Sequence, residues 1–147
     1  MSITLGTTMH EISLQQSQTC LNAALTYARQ HGLAPVTAVV LDSGGHTKAA
    51  VREDGSGYGG LDIATAKARG ALMFGLSSRA IGELFGANPA ICAALSTTLK
   101  GQLLPIAGAL LICRGDGSVA GAISVAGDMP DNDEAAAAAG LNAAALP

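Results

Sequence analysis

Val36-Thr37-Ala38-Val39-Val40-Leu41 runs into Asp42-Ser43-Gly44-Gly45-His46 and then into Thr47-Lys48-Ala49-Ala50-Val51-Arg52. The first six residues are apolar or β-branched at every position. A strand with one wet face alternates, so this run predicts a central strand covered on both sides. The Asp-Ser-Gly-Gly-His segment predicts a turn, and Thr47–Arg52 predicts the returning strand of a hairpin. A second hairpin follows far along the chain. Ala109–Cys113 and Val119–Val125 are apolar runs joined by Arg114-Gly115-Asp116-Gly117-Ser118, and Asp-Gly between such runs is a hairpin signal. Residues 36–52 and 109–125 are therefore expected to share one antiparallel sheet.

Helices fill the rest. Residues 13–31 carry helical spacing after an S-x-x-Q capping box at Ser13 and Gln16, with Gly32 and Pro35 as stop signals. Leu61–Phe74 and Ser78–Phe85 read as helices ended by Gly75 and Gly86. Pro89–Leu95 reads as a short helical turn, and Ser96–Leu104 as a loop. Glu134–Leu146 reads as a terminal helix, with Asp131 and Glu134 as its capping box. Helix, hairpin, helices, hairpin, helix predicts an α+β domain of three α-β-α layers around a mainly antiparallel sheet. Residues 1–12 read as an N-terminal extension and 13–147 as a single domain.

Composition narrows the function. Charged residues are 13% of the 147, against roughly 25% in average proteins, and 49% are hydrophobic. Eight Lys and Arg in all, with a net charge of −3, exclude a phosphate-tracking nucleic-acid surface. Two Tyr, two Phe and no Trp leave little to stack on bases. Gly numbers 19 and Ala makes up roughly a fifth of the chain. Small side chains let helices approach a sheet closely and leave room for a flat ligand or a partner subunit. Cys20, Cys92 and Cys113 have neither disulfide nor zinc spacing. Met1–Ile12 lacks the order of a secretory leader, and no apolar run nears the ~20 residues of a membrane span. A cytoplasmic protein without a membrane partner is expected. The apolar character of so acidic a chain, with mean hydropathy +0.38, points to a homo-oligomer.

Lys67 is the most informative residue. Its helical neighbours Ile63, Ala64, Gly70 and Ala71 are all apolar or small. A lysine on such a face needs a partner. Either it pairs with Asp42 or Asp54 and pins helix to sheet, or it serves an anion or a reaction, or it is a plain surface lysine. Asp42 either caps the Gly44-Gly45 turn or orients Lys67 or a ligand. Arg52 and Asp54 either form a local salt bridge or leave Arg52 to clamp a carboxylate or propionate. His46 is a solvated turn histidine or an iron ligand. His10 and His31 are poor ligand candidates. Tyr58, Cys92 and Met73 are further side chains of metal-ligating type, with nothing in their spacing to select one. Asp133 and Glu134 either cap the last helix or act as a pocket acid or base. No GxxxxGK[ST] motif is present, and no serine has a G-x-S-x-G context.

Several of these pieces recur together. Asp42-x-Gly44-Gly45-His46, Arg52-x-Asp54-Gly55 and Asp62-Ile63-Ala64-x-x-Lys67-Ala68 come in the first half. Pro105-x-x-Gly108, Gly121-Ala122-Ile123-x-Val125-x-Gly127 and Asp133-Glu134 follow. In order and spacing, from about Ser13 to Leu146, the chain resembles the family of the HbpS haem-binding proteins, the GlcG proteins and the C-terminal domain of PduO-type proteins. The resemblance implies a profilin-like domain, a homo-oligomer and a small-molecule ligand, with haem or a related tetrapyrrole first. It also singles out Lys67. The chain departs from the pattern at Tyr58-Gly59-Gly60, Ala107 and Ala109. The alternative is a metal-independent lyase or isomerase acting on a small anionic metabolite. Lys67 would be its base or anchor, Arg52 would hold a carboxylate, and Asp42 or Glu134 would complete proton transfer. Lys67 is expected in a pocket bounded by the Asp42–His46 turn, the Arg52–Gly60 segment and the Pro105–Gly108 loop, with His46, Tyr58, Asp54, Pro105 and Gly108 as ligand contacts.

Overall fold

Strand β1 (Thr37–Asp42) is buried from Thr37 to Leu41. Ala38 and Val40 enter one core cluster, Val39 and Leu41 another, so both faces are covered. This is what its uninterrupted apolar sequence requires. The computed structural model describes residues 11–144 and 146–147. It contains α1 (Leu14–Gln30), β1, β2 (Thr47–Arg52), α2 (Gly60–Phe74) and α3 (Ser78–Phe85). These are followed by α4 (Pro89–Thr98), β3 (Ala109–Cys113), β4 (Val119–Ala126) and α5 (Pro130–Ala143).

The two hairpins join as expected. Sheet order is β2-β1-β4-β3, antiparallel throughout, with β1 and β4 paired from Thr37↔Ala126 to Asp42↔Gly121. Helices α1 and α5 cover one face and α2 the other, giving the α-β-α layers. The first face is packed by Cys20, Leu21, Ala24, Val40, Ile123 and Ala136, among others. Ile12 belongs to it too, and its N–H bonds to the Ala120 carbonyl. Packing therefore starts just before the residue at which the sequence suggests the domain begins. Gly140 sets the distance of α5 from α1, because a Cβ there would lie 2.7 Å from the Cys20 carbonyl oxygen.

The Ser13–Gln16 capping box forms in both directions, at 3.0 and 2.8 Å. Gly32 follows α1 with φ +64°. His31 stacks on Tyr27 and its Nδ1 lies 2.9 Å from the Tyr27 carbonyl. His10 falls outside the described residues.

Two helices differ from expectation. Helix α4 continues to Thr98, beyond Leu95. Asn88 caps it through the Ile91 N–H, and Ser96 donates from its side chain to the Leu103 carbonyl, which holds the last turn. Helix α5 starts at Pro130 and ends at Ala143, earlier at both ends than expected. Proline is well suited to a first helical position. The Asp131–Glu134 capping box does not form. Met129 is the N-cap, and both carboxylates instead reach Arg79 on α3. A guanidinium binds two carboxylates more strongly than a lone N–H does. Among the described residues no helix is long and apolar enough to cross a membrane.

Candidate functional site

Helix α2 buries Gly60, Ala64, Lys67, Ala68 and Ala71 against the sheet. Lys67 sits in the middle of that face, so its ammonium is carried under the helix to the end of β4. Only 3% of its side chain and 2% of Asp133 are exposed. Lys67 Nζ donates to Asp133 Oδ2 at 3.0 Å and to the Val125 carbonyl at 3.2 Å. Asp133 Oδ1 accepts the Asp128 N–H at 2.9 Å. Burial pushes the Asp133 carboxyl above the usual aspartate range, while the hydrogen bonds from Asp128 and Lys67 pull it back down.

The pair lines a cleft of about 510 Å³. Ser56, Gly57, Gly59 and Gly60 form one wall, and Ile63, Leu104 and Ile106 an apolar one. Ala126, Gly127, Asp128 and Pro130 complete it. Gly108 lies against the lysine, since a Cβ there would come within 2.6 Å of Lys67 Nζ. Asp128 ties the cleft's edge together. Its carboxylate accepts the Asn132 side-chain amide and the N–H groups of Ala34 and Met129, at 2.7, 2.6 and 2.7 Å. These bonds hold its pKa below the ordinary carboxylate range. A depressed carboxyl contributes stability above its unfolded pKa and loses it as pH falls through the folded value. Urea melts of Asp128→Asn should thus show a deficit against wild type that is full at neutral pH and shrinks on acidification. A deficit independent of pH would contradict these contacts.

The predicted boundaries are met in part. The Arg52–Gly60 segment contributes Ser56, Gly57, Gly59 and Gly60, and the Pro105–Gly108 loop contributes Ile106. Pro105 itself packs its carbonyl against Gly82 of α3. The Asp42–His46 turn lies elsewhere. Asp42 Oδ1 accepts the N–H groups of Gly44 and His46, at 2.9 and 3.0 Å, so it caps its own turn and does not meet Lys67. Arg52 forms no salt bridge with Asp54 among the described residues. It donates to the Ser56 carbonyl at 2.8 Å and so braces one wall of the cleft. Glu53 takes the ionic role in that segment, pairing with Arg29 at 2.9 Å and accepting the Val36 N–H. Arg52 and Asp54 line a different, shallow depression, and Tyr58 is 93% exposed. Glu134 points to Arg79 at 2.9 Å, away from the Asp133–Lys67 pair.

Asp133, and not Asp42 or Asp54, is therefore the partner of Lys67. The sequence holds a signal for this. Asp133, Ala136, Ala137 and Gly140 recur at helical spacing and are the buried residues of α5, while Glu134 falls off that stripe.

A second cleft, of about 340 Å³, lies at the β1–β2 turn and is lined by Ser43, Gly44, Gly45, His46, Arg69, Leu72, Met73 and Gln102. Arg69 donates Nε–H to the Gly45 carbonyl at 3.1 Å, which fixes α2 to the turn and orients the guanidinium. His46 and Met73, distant in sequence, share this cleft. Cys92 does not reach it; its thiol lies against the Phe85 carbonyl.

Solved structures of the same fold exist. The PduOC:heme complex superposes with a TM-score of 0.83 at 20% identity, covering 93% of this chain and 97% of that one. The Klebsiella pneumoniae protein ORFY gives 0.83 at 23%, covering 99% and 100%. A double mutant of Streptomyces reticuli HbpS gives 0.77 at 25%, covering 94% and 89%. No curated protein matches the sequence. A family model described as haem degrading protein HbpS-like matches residues 12–142, from the first core residue to the last turn of α5. The chain belongs to this HbpS-like family.

Proposed function

We propose that the chain binds haem or a related tetrapyrrole. The family description and the haem complex of a structural relative support this reading. The observation that carries it is the company of His46, Met73 and Arg69 in one cleft. Imidazole and thioether are both iron ligands, and a guanidinium held at Nε suits a propionate. Bound haem supplies a redox-active iron; the protein's part is to hold and orient it. The Lys67 cleft fits the group less well, because no His, Met, Cys or Tyr lines it. The exposed, uncharged helix α4 is in keeping with a homo-oligomer, which forms part of this proposal. Titration with haemin should give a saturable Soret band that His46→Ala weakens or shifts. Absence of any saturable band in the wild type would remove the haem reading.

The Lys67–Asp133 pair favours a second reading, a metal-independent lyase- or isomerase-type enzyme. A cation and a carboxyl raised by burial, together on an apolar cleft, suit proton transfer next to a carbonyl. In this reading Asp133 takes the part expected of Asp42 or Glu134, and Arg52 positions Ser56 without touching substrate. Exchange of carbon-bound hydrogen into heavy water is its direct assay.

A further inference from the structure

We infer that the Lys67 cleft takes an uncharged compound with a carbonyl-type oxygen and a short apolar body, and that it discriminates against anions. An ammonium has three N–H donors. Lys67 gives one to Asp133 and one to the Val125 carbonyl, and one remains for a ligand acceptor. The cleft thus offers a single buried donor at its polar end.

The charges around it decide what kind of acceptor fits. Lys67 is the one cation among the lining residues, and Asp128 and Asp133 both line the cleft as well. The ammonium is already neutralised by a carboxylate at 3.0 Å, and a second carboxylate stands nearby. An entering anion would lose its hydration and meet a surplus of negative charge. A cation would be drawn by that surplus, but it too would lose its hydration on entering, and the carboxylates are already engaged. Both oxygens of Asp133 and both of Asp128 already accept hydrogen bonds from the protein. A neutral oxygen acceptor needs only what is left over. Ile63, Leu104, Ile106 and Ala126 supply apolar contact for the rest of the molecule. The inference rests on the second reading above for its site, and it alters the substrate class expected from sequence, an anionic metabolite.

The test uses the intact chain with three probes of one shape: 4-methyl-2-pentanone, 3-methylbutanoate and isopentylamine. Binding is read by saturation-transfer NMR in heavy water, and the same spectra report loss of the ketone's α-hydrogens. The ketone should bind at least about tenfold more tightly than either charged probe. Ile106→Trp should abolish its binding. That residue is partly exposed on the cleft wall, so the variant fills the cleft without disturbing the buried pair. Binding of either charged probe as tight as that of the ketone overturns the inference. So does an undiminished ketone signal in Ile106→Trp, or no ketone contact at millimolar protein and probe. Ketone binding without α-hydrogen exchange supports the inference while counting against the enzymatic reading, so the two fail separately.

Discussion

Lys67→Met should lower the unfolding free energy by about 3–5 kcal/mol, because it breaks a buried ion pair from one side. Methionine keeps much of the stem and its packing against Gly108. What it removes is the cation paired with Asp133, whose side chain is 2% exposed. The carboxylate must then stay charged without its partner or take up a proton. Without Lys67 the Asp133 carboxyl rises still further, so its native pKa lies above the unfolded one. The stability such a group contributes is present below the unfolded pKa and is lost as pH rises through the native value. The variant's deficit should therefore be largest at neutral pH and shrink on acidification. Replacing both members, Lys67→Met with Asp133→Leu, should recover part of the loss, since a buried pair exchanged for apolar groups is often neutral, the remainder being the Asp128 N–H left without its acceptor. Urea melts at several pH values check all three statements. A single variant within about 1 kcal/mol of wild type would mean that the pair contributes no more than an exposed one.

Gly108→Ala should cost about 2–5 kcal/mol, adding backbone strain to overpacking. Its φ of +140° is a conformation that side-chain-bearing residues rarely adopt. A Cβ there would stand 2.6 Å from Lys67 Nζ and 2.7 Å from the Val125 carbonyl oxygen, so it would collide with the lysine and with the oxygen that anchors it. Gly57→Ala is the control. It lines the same cleft, yet a Cβ there meets nothing within 4 Å. Thermal or chemical melts should separate the two variants clearly. Because Gly108 and Lys67 share one contact, the losses of Gly108→Ala and Lys67→Met should not add in the double variant. Strict additivity would show that the alanine acts through the backbone alone.

The sheet was legible because its evidence is local. Val36–Leu41 has no polar face, and Asp116-Gly117 interrupts two apolar runs, so both hairpins follow from short windows of sequence. Lys67 was legible for a similar reason: its neighbours one turn away are all small or apolar. Its partner was harder to see. Asp42, Asp54 and Asp133 are all plausible carboxylates until the strand order is known, and only the β1–β4 pairing brings the start of α5 to α2. The Asp42–His46 turn lines a different cleft on the same account. A turn at one end of β1 cannot also meet residues packed at the other end, where Thr37 pairs with Ala126. The start of α5 is not legible because Arg79, which holds Asp131 and Glu134, lies on another helix, and no window of sequence reports such a contact.

The pairing of β1 with β4 also governs when the molecule can form. During synthesis the first hairpin and α2 leave the ribosome long before Val119–Ala126 exists. Until that strand arrives, one edge of β1 has no neighbour, and Val39 and Leu41 lack much of the layer that buries them. Closing so long a loop is entropically costly and slow compared with forming a hairpin. The nascent first half therefore carries an open, apolar strand edge, the kind that recruits other chains. A chaperone acting on this protein has most to shield in that interval, and a product truncated before residue 119 would remain in it permanently.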